Sequence, residues 1–137
     1  LSGLKLRILR DEVVEIDGVQ LVGIDYPLMG QRKNLDSVMA RVDRSKPIIV
    51  LYHEPAFSDT MKLLGVDLQL AGHTHRGQMW PFNYITRQVY RGLDHGLYQD
   101  GDYSLYTSCG TGTWGPPLRS ANRPEVVVFT LVGKSGN

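Results

Sequence analysis

A single cysteine, Cys109, stands among 137 residues, so no disulfide can form within the chain. The fold must rest on an apolar core, which a chain of this length can bury. One cysteine leaves the redox compartment open, and a lone thiol reads first as a small buried hydrophobe. Charge of one sign is also lacking: fifteen basic side chains oppose fourteen acidic ones, for a net charge of +1. With no long basic run, a nucleic-acid partner held by a charged patch is not indicated. No apolar stretch reaches membrane-spanning length and no signal peptide is visible, so the chain itself is expected to be soluble. Repeats, low-complexity segments and linkers are missing, and residues 1–137 read as a single domain. Apolar residues make up 42% and charged residues 21% of the chain, ordinary values for a globular protein. There is no initiator methionine, and Leu1 leads almost directly into strand-like sequence. The expectation is a piece of something longer.

The pattern along the chain is mixed. Residues 5–9 alternate as a strand, and Asp11–Ile16 and Val19–Ile24 are two further strand-like runs. Asp17-Gly18 between them is a two-residue hairpin signal. Asn34 can cap a helix whose apolar positions Leu35, Val38, Met39 and Val42 share one face, with Pro47 ending the element. Ile48–Tyr52 is a continuous apolar run of the kind that forms a buried central strand. Ser58 can cap a short helix over residues 59–64, stopped by Gly65, and residues 67–71 form the next strand. Beyond residue 76 the pattern becomes β-rich. Gln78–Trp80, Val89-Tyr90, Tyr103–Ser108 and Val126–Leu131 read as strands, Gly92–Gly101 and Gly110–Arg119 as loops, and Gly133–Asn137 as a frayed tail.

Three of the four histidines fall at strand ends. His53 follows the apolar run, and His73 and His75 follow the next strand in the turn Gly72-His73-Thr74-His75. Ligands gather at the carboxyl ends of strands in open α/β sheets, and neutral imidazole is a good ligand for zinc, manganese and iron. His-x-His alone is a weak signal, and His53 alone reads as a core histidine; the convergence of all three is what carries weight. His95 is expected to be solvent-exposed in a loop. Three histidines suit a mononuclear zinc site, or the histidine half of a binuclear site completed by carboxylates. The nearby acids are Glu54, Asp59 and Asp67. None makes a convincing bridge between two metals, and Asp59 and Asp67 have ordinary helix-start and turn readings.

These residues resemble a known family. Val50-Leu51-Tyr52-His53-Glu54-Pro55 and the run from Asp67 through Gly72-His73-Thr74-His75-Arg76-Gly77-Gln78 look like the last two motifs of the calcineurin-like metallophosphoesterases. Thr107–Arg119 and Arg123–Val128 are similar to the membrane-associated phosphohydrolase subgroup of the YkuE/YaeI type. The resemblance covers nearly the whole chain. It implies an α/β (α+β) fold: the C-terminal half of a four-layer αββα sandwich, with a mixed β-sheet and short helices. It implies two divalent ions (manganese, zinc or iron), His53 and His73 on one and His75 on the other, and a metal-activated hydroxide attacking phosphorus in line. Arg119, Arg76 and Trp114 are candidates for substrate contact: Arg119 by the fit of guanidinium to phosphate, Trp114 as a cleft wall. Each has a plainer role as a surface or loop-pinning residue.

The family's earlier blocks, Asp-x-His, Gly-Asp-x-x-Asp and Gly-Asn-His, do not occur before residue 53. The resemblance therefore implies a phosphoester hydrolase in the parent protein, acting on a lipid-linked or nucleotide-sugar substrate. This chain would hold only the histidine half of the site and would be inactive alone. The parent would be membrane-associated or otherwise cytoplasmic. A core face bared by the missing half would favour self-association. A different class of function also fits the residues: a non-catalytic metal-binding or interaction module using His53, His73 and His75. A mononuclear zinc hydrolase with Glu54 as base is a third reading.

Overall fold

The computed structural model of the protein describes residues 6–27 and 33–133. Its first unit is a hairpin of β1 (Glu12–Ile16) and β2 (Val19–Gly23). Ile16 pairs with Val19 across Asp17-Gly18, and both turn residues have positive φ, 50° and 82°. That geometry matches the right-handed twist of the strands. Helix α1 (Leu35–Met39) follows. Asn34 caps it, its side chain accepting the Ser37 N–H at 3.2 Å, which satisfies one of the orphan donors of the first turn. Leu35, Val38 and Met39 form its buried face.

Then come β3 (Ile48–Leu51), α2 (Ser58–Leu63) and β4 (Leu68–Ala71). Helix α3 (Phe82–Val89) and the closing hairpin of β5 (Gly96–Asp100) and β6 (Tyr103–Thr107) complete the elements. The strands make one mixed six-stranded sheet in the order β1-β2-β3-β4-β6-β5. Strands β2, β3, β4 and β6 are mutually parallel, and β1 and β5 add antiparallel edges. The fold is α/β, as the sequence pattern implied.

One sheet face carries the core. Val22, Ile48, Val50, Tyr103 and Leu105 pack with Leu35, Val38 and Met39 of α1 and Met61 of α2. Each such side chain contributes about 1.5–3 kcal/mol of burial before chain entropy is counted. Gln69 lies in this core, fully buried. Its amide donates to the carbonyls of Glu54 at 3.3 Å and Ala56 at 3.1 Å, and its carbonyl accepts the Tyr103 hydroxyl at 2.7 Å. A buried amide stabilises only when bonded in this way. Here it fastens the loop after His53 to β4 and β6.

The opposite face is also apolar. Register places Val14, Leu21, Ile49 and Leu68 in one row across it, and Leu51, Leu70, Tyr106 and Leu97 in another. Leu9 lies directly over Gly23, where an added Cβ would sit 2.2 Å from the Leu9 Cβ. Phe129 packs edge-on against Tyr106 at 5.2 Å between ring centroids. Ile16, Leu51 and Leu97 remain exposed.

Several local expectations are corrected. Residues 6–9 are extended but unpaired, Lys5 lying outside the described residues; their alternation serves the packing of Leu9 on Gly23. The N-cap of α2 is Phe57, at φ 62° and with no side-chain capping bond, and Ser58 is already helical. The Phe57 ring, 5.8 Å from that of Tyr52, packs at that turn where a hydroxyl cap was expected. Gln78–Trp80 is a turn, and Val89-Tyr90 is the end of α3. The helical face was hidden because its apolar residues point outward. β5 (Gly96–Asp100) occupies half of the expected loop Gly92–Gly101 as an edge strand. Val126–Leu131 is not a strand. Residues 134–137 of the expected frayed tail lie outside the described residues. Among the described residues no helix is long and apolar enough to cross a membrane.

Candidate metal centre

Four parallel strands, β2, β3, β4 and β6, point their carboxyl ends to one edge of the sheet. Beyond those ends lie Tyr26, His53 with Glu54, the turn 72–78, and the loop starting at Ser108. Gly72 N–H donates to the His53 carbonyl at 3.0 Å, so the β3–β4 pairing runs on to the histidines themselves.

His53 Nε2 and His73 Nδ1 are 2.8 Å apart, with ring centroids at 4.6 Å. Glu54 Oε1 is 3.5 Å from His73 Nε2 and accepts the Tyr26 hydroxyl at 2.5 Å. That bond pushes the Tyr26 pKa up to about 12. The Tyr26 ring meets His53 edge-on at 5.1 Å, and Tyr90 meets His73 at 6.4 Å. Partial burial, followed by the adjacent His73 imidazole, lowers the His53 pKa against an opposing pull from Glu54. That direction favours the neutral imidazole, the form that ligates metals.

His75 faces elsewhere. Its Nδ1 is 3.3 Å from Arg119 Nη2, and its ring lies 3.8 Å from where a Gly110 Cβ would be. The structure thus brings His53 and His73 together, while the side-chain partner of His75 is Arg119. Of the nearby acids, Glu54 alone approaches the pair; Asp67 Oδ2 accepts the Ile48 N–H at 2.7 Å and so locks β3, and Asp59 stands in the first turn of α2.

The turn bearing the histidines is strained. His73, His75, Arg76 and Gln78 all have left-handed φ, at 68°, 47°, 50° and 54°. Such a conformation costs a non-glycine residue roughly 1–3 kcal/mol and persists only where its surroundings over-determine it. Here they do. Thr74 Oγ1 donates to the Asp94 carbonyl at 2.6 Å and accepts the Arg76 N–H at 3.1 Å. The Gln78 amide clasps the loop, donating to the Trp114 carbonyl at 2.8 Å and accepting the Trp114 N–H at 2.6 Å. Asn122 Nδ2 donates to the His75 carbonyl at 2.6 Å.

Arg119 braces this loop. It donates to the carbonyls of Cys109 at 2.8 Å and Gly112 at 3.1 Å and to Asn122 Oδ1 at 2.5 Å. Arg76 projects into solvent. The Trp114 side chain is exposed while its backbone holds Gln78. Reading the sequence alone missed Tyr26, Tyr90, Gln78 and Asn122. Tyr26 was within reach, because it follows the end of a strand parallel to the two that deliver the histidines.

Helix α3, beside the pair, has inverted polarity. Asn83, Thr86 and Tyr90 turn toward the body and are partly buried. Phe82, Ile85 and Val89 share the outward face, with Trp80 and Tyr84 also exposed. No acidic residue occurs between Asp67 and Asp94, a stretch that contains Arg76, Arg87 and Arg91.

Two imidazoles, a carboxylate and a strained turn thus converge at the carboxyl ends of the parallel strands of an α/β sheet. The chain belongs to the metallophosphoesterase family. It is 34% identical over 98% of its length to an uncharacterized metallophosphoesterase of Helicobacter pylori strain J99, covering 38% of that protein. It is 33% identical over 88% of its length to the uncharacterized metallophosphoesterase YkuE of Bacillus subtilis, covering 40% of it. A transmembrane protein with metallophosphoesterase domain from Danio rerio is 31% identical over 91% of the chain, with 30% of the relative covered. The chain thus spans about two fifths or less of these relatives. No family model matches it, and no solved structure matches it.

Proposed function

We propose that the chain supplies the histidine half of a two-metal phosphoesterase site, with His53 and His73 as ligands of one divalent ion and His75 of the second. The observation that carries this reading is the 2.8 Å approach of the His53 and His73 ring nitrogens from adjacent parallel strands. Ligand atoms in a zinc tetrahedron stand about 3.3 Å apart, so a small separation of the rings admits an ion. Divalent ions there would offset the charge of a phosphoryl group during displacement. The chain's own groups have supporting roles: Tyr26 and Glu54 orient the pair, and Arg119 holds the loop against His75. Trp114 and Arg76 stand free to meet substrate.

The whole protein, on this reading, hydrolyses a phosphoester. With manganese, the natural protein is expected to cleave an aryl phosphodiester, and His73→Ala to lower kcat/KM by at least about 100-fold, more than the loss of an outer partner alone. Residues 1–137 alone are expected to show no turnover above manganese in buffer. Robust turnover by the isolated chain, abolished by His75→Ala, would contradict the half-site.

The outward apolar face of α3 favours a lipid-linked substrate over a nucleotide-sugar. A patch of Trp80, Phe82, Ile85 and Val89 with arginines around it and no acids suits an anionic membrane surface. The protein should co-sediment with phosphatidylglycerol vesicles, and Ile85→Asp should release it. Equal binding of both forms would exclude α3 as the contact. The apolar second sheet face supports self-association of the isolated chain, visible as dimers or larger species in sedimentation velocity. A clean monomer at high concentration would refute that.

A further inference from the structure

A second group of ligand-type side chains lies apart from the histidine pair. His95 enters from the loop before β5, Cys109 from just past β6, and Glu125 from the extended stretch after the glycine-rich loop. One ligand atom of each lies within 4.8 Å of the others. His95 Nδ1 is buried without any hydrogen-bond partner and stands 3.9 Å from Glu125 Oε1, beyond bonding reach. A buried polar atom with an unmade bond is costly and calls for a missing partner. The other two members are already fixed in place. Glu125 Oε1 accepts the Cys109 N–H at 2.9 Å. Cys109 is buried, with its thiol 3.1 Å from the Arg123 carbonyl.

We propose that His95, Cys109 and Glu125 bind a thiophilic divalent cation of the zinc class. Thiolate, imidazole and carboxylate are the donor set of such ions, and three protein ligands leave a fourth position for water. Tetrahedral ligand atoms lie about 3.5 Å apart, so closing the site takes side-chain movement of about 1 Å. The charges balance: the dication meets one thiolate and one carboxylate, and the thiol proton leaves to solvent on binding. Hard ions such as manganese do not favour thiolate, so the two centres differ in metal preference.

The location gives the site a purpose. Residues 122–133 belong to no strand or helix, and the Glu125 N–H bond to the Gly110 carbonyl at 3.1 Å is one of their few backbone ties. A metal on Glu125 and Cys109 staples this stretch to β6. Cys109 also offers its carbonyl to Arg119, which contacts His75. The ion would stiffen the wall behind His75 without touching the substrate edge.

Cobalt(II) titration of the natural protein tests this by a signal the histidines cannot give. A thiolate-to-cobalt charge-transfer band should rise in the near ultraviolet, saturate at one equivalent and be reversed by zinc. It should persist in His53→Ala and His73→Ala, vanish in Cys109→Ser, and need at least about tenfold more cobalt in His95→Ala. A wild-type spectrum with no thiolate band overturns the proposal regardless of how the variants fold. So does a band that survives Cys109→Ser. Loss of manganese-dependent turnover with this band intact would implicate the histidine half-site alone.

Discussion

Gly77→Ala is expected to lower the melting temperature by roughly 10 °C, the equivalent of about 3 kcal/mol in a chain of this size. Gly77 sits at φ 71°, and an added Cβ would lie 2.4 Å from Asn83 N, 2.5 Å from Asn83 Cα and 2.6 Å from Phe82 C. Two penalties combine. Left-handed backbone costs an L-residue about 1–2 kcal/mol. Overpacking adds about 1–3 kcal/mol, because every atom met is backbone and cannot rotate away. Relief requires α3 to shift off the turn, which would carry His75 and Gln78 with it. Gly112→Ala is the control, since an added Cβ there meets nothing within 4 Å; its effect should stay within about 0.5 kcal/mol. Thermal denaturation followed by circular dichroism checks both, and a Gly77→Ala protein melting with the wild type would refute the close seating of α3.

His73→Gly should separate stability from function. Glycine relieves the left-handed strain at φ 68°, worth about 1–2 kcal/mol, and costs about 0.5–1 kcal/mol in unfolded-chain entropy. The metal-free protein should therefore hold its stability or gain up to about 1 kcal/mol. Divalent-ion affinity should fall at least about 100-fold, because deleting an outer partner of a ligand already costs tenfold to a hundredfold. A residue kept only for structure would behave in the opposite way, with stability lost and metal affinity unchanged. Strain retained at a residue that stability does not need is the mark of a functional position.

Much of the parallel sheet was legible in the sequence because local signals agreed with the tertiary arrangement. Asp17-Gly18 set the first hairpin, Asn34 capped α1, and the continuous apolar run Ile48–Tyr52 marked a central strand, of which Ile48–Val50 are buried and Leu51 is exposed. The placement of His53 and His73 followed from the same signals. α3 was illegible because its apolar stripe faces solvent, so Val89 and Tyr90 imitated β sequence. The stretch Val126–Leu131 misled for the complementary reason: its alternation is strand-like, but no described strand pairs with it. The proximity of His95 to Glu125 and the direction of His75 depend on loop geometry, which periodicity does not encode.

Manganese calorimetry on the natural protein, in a Cys109→Ser background to silence the thiolate site, tests the metal role of the histidines most directly. His53→Ala and His73→Gly should each weaken the same binding event by at least about 100-fold and leave the other event in place, and their effects should combine non-additively, because both ligands serve one ion. Manganese binding left unchanged by both substitutions would contradict the assignment of this edge as a metal centre.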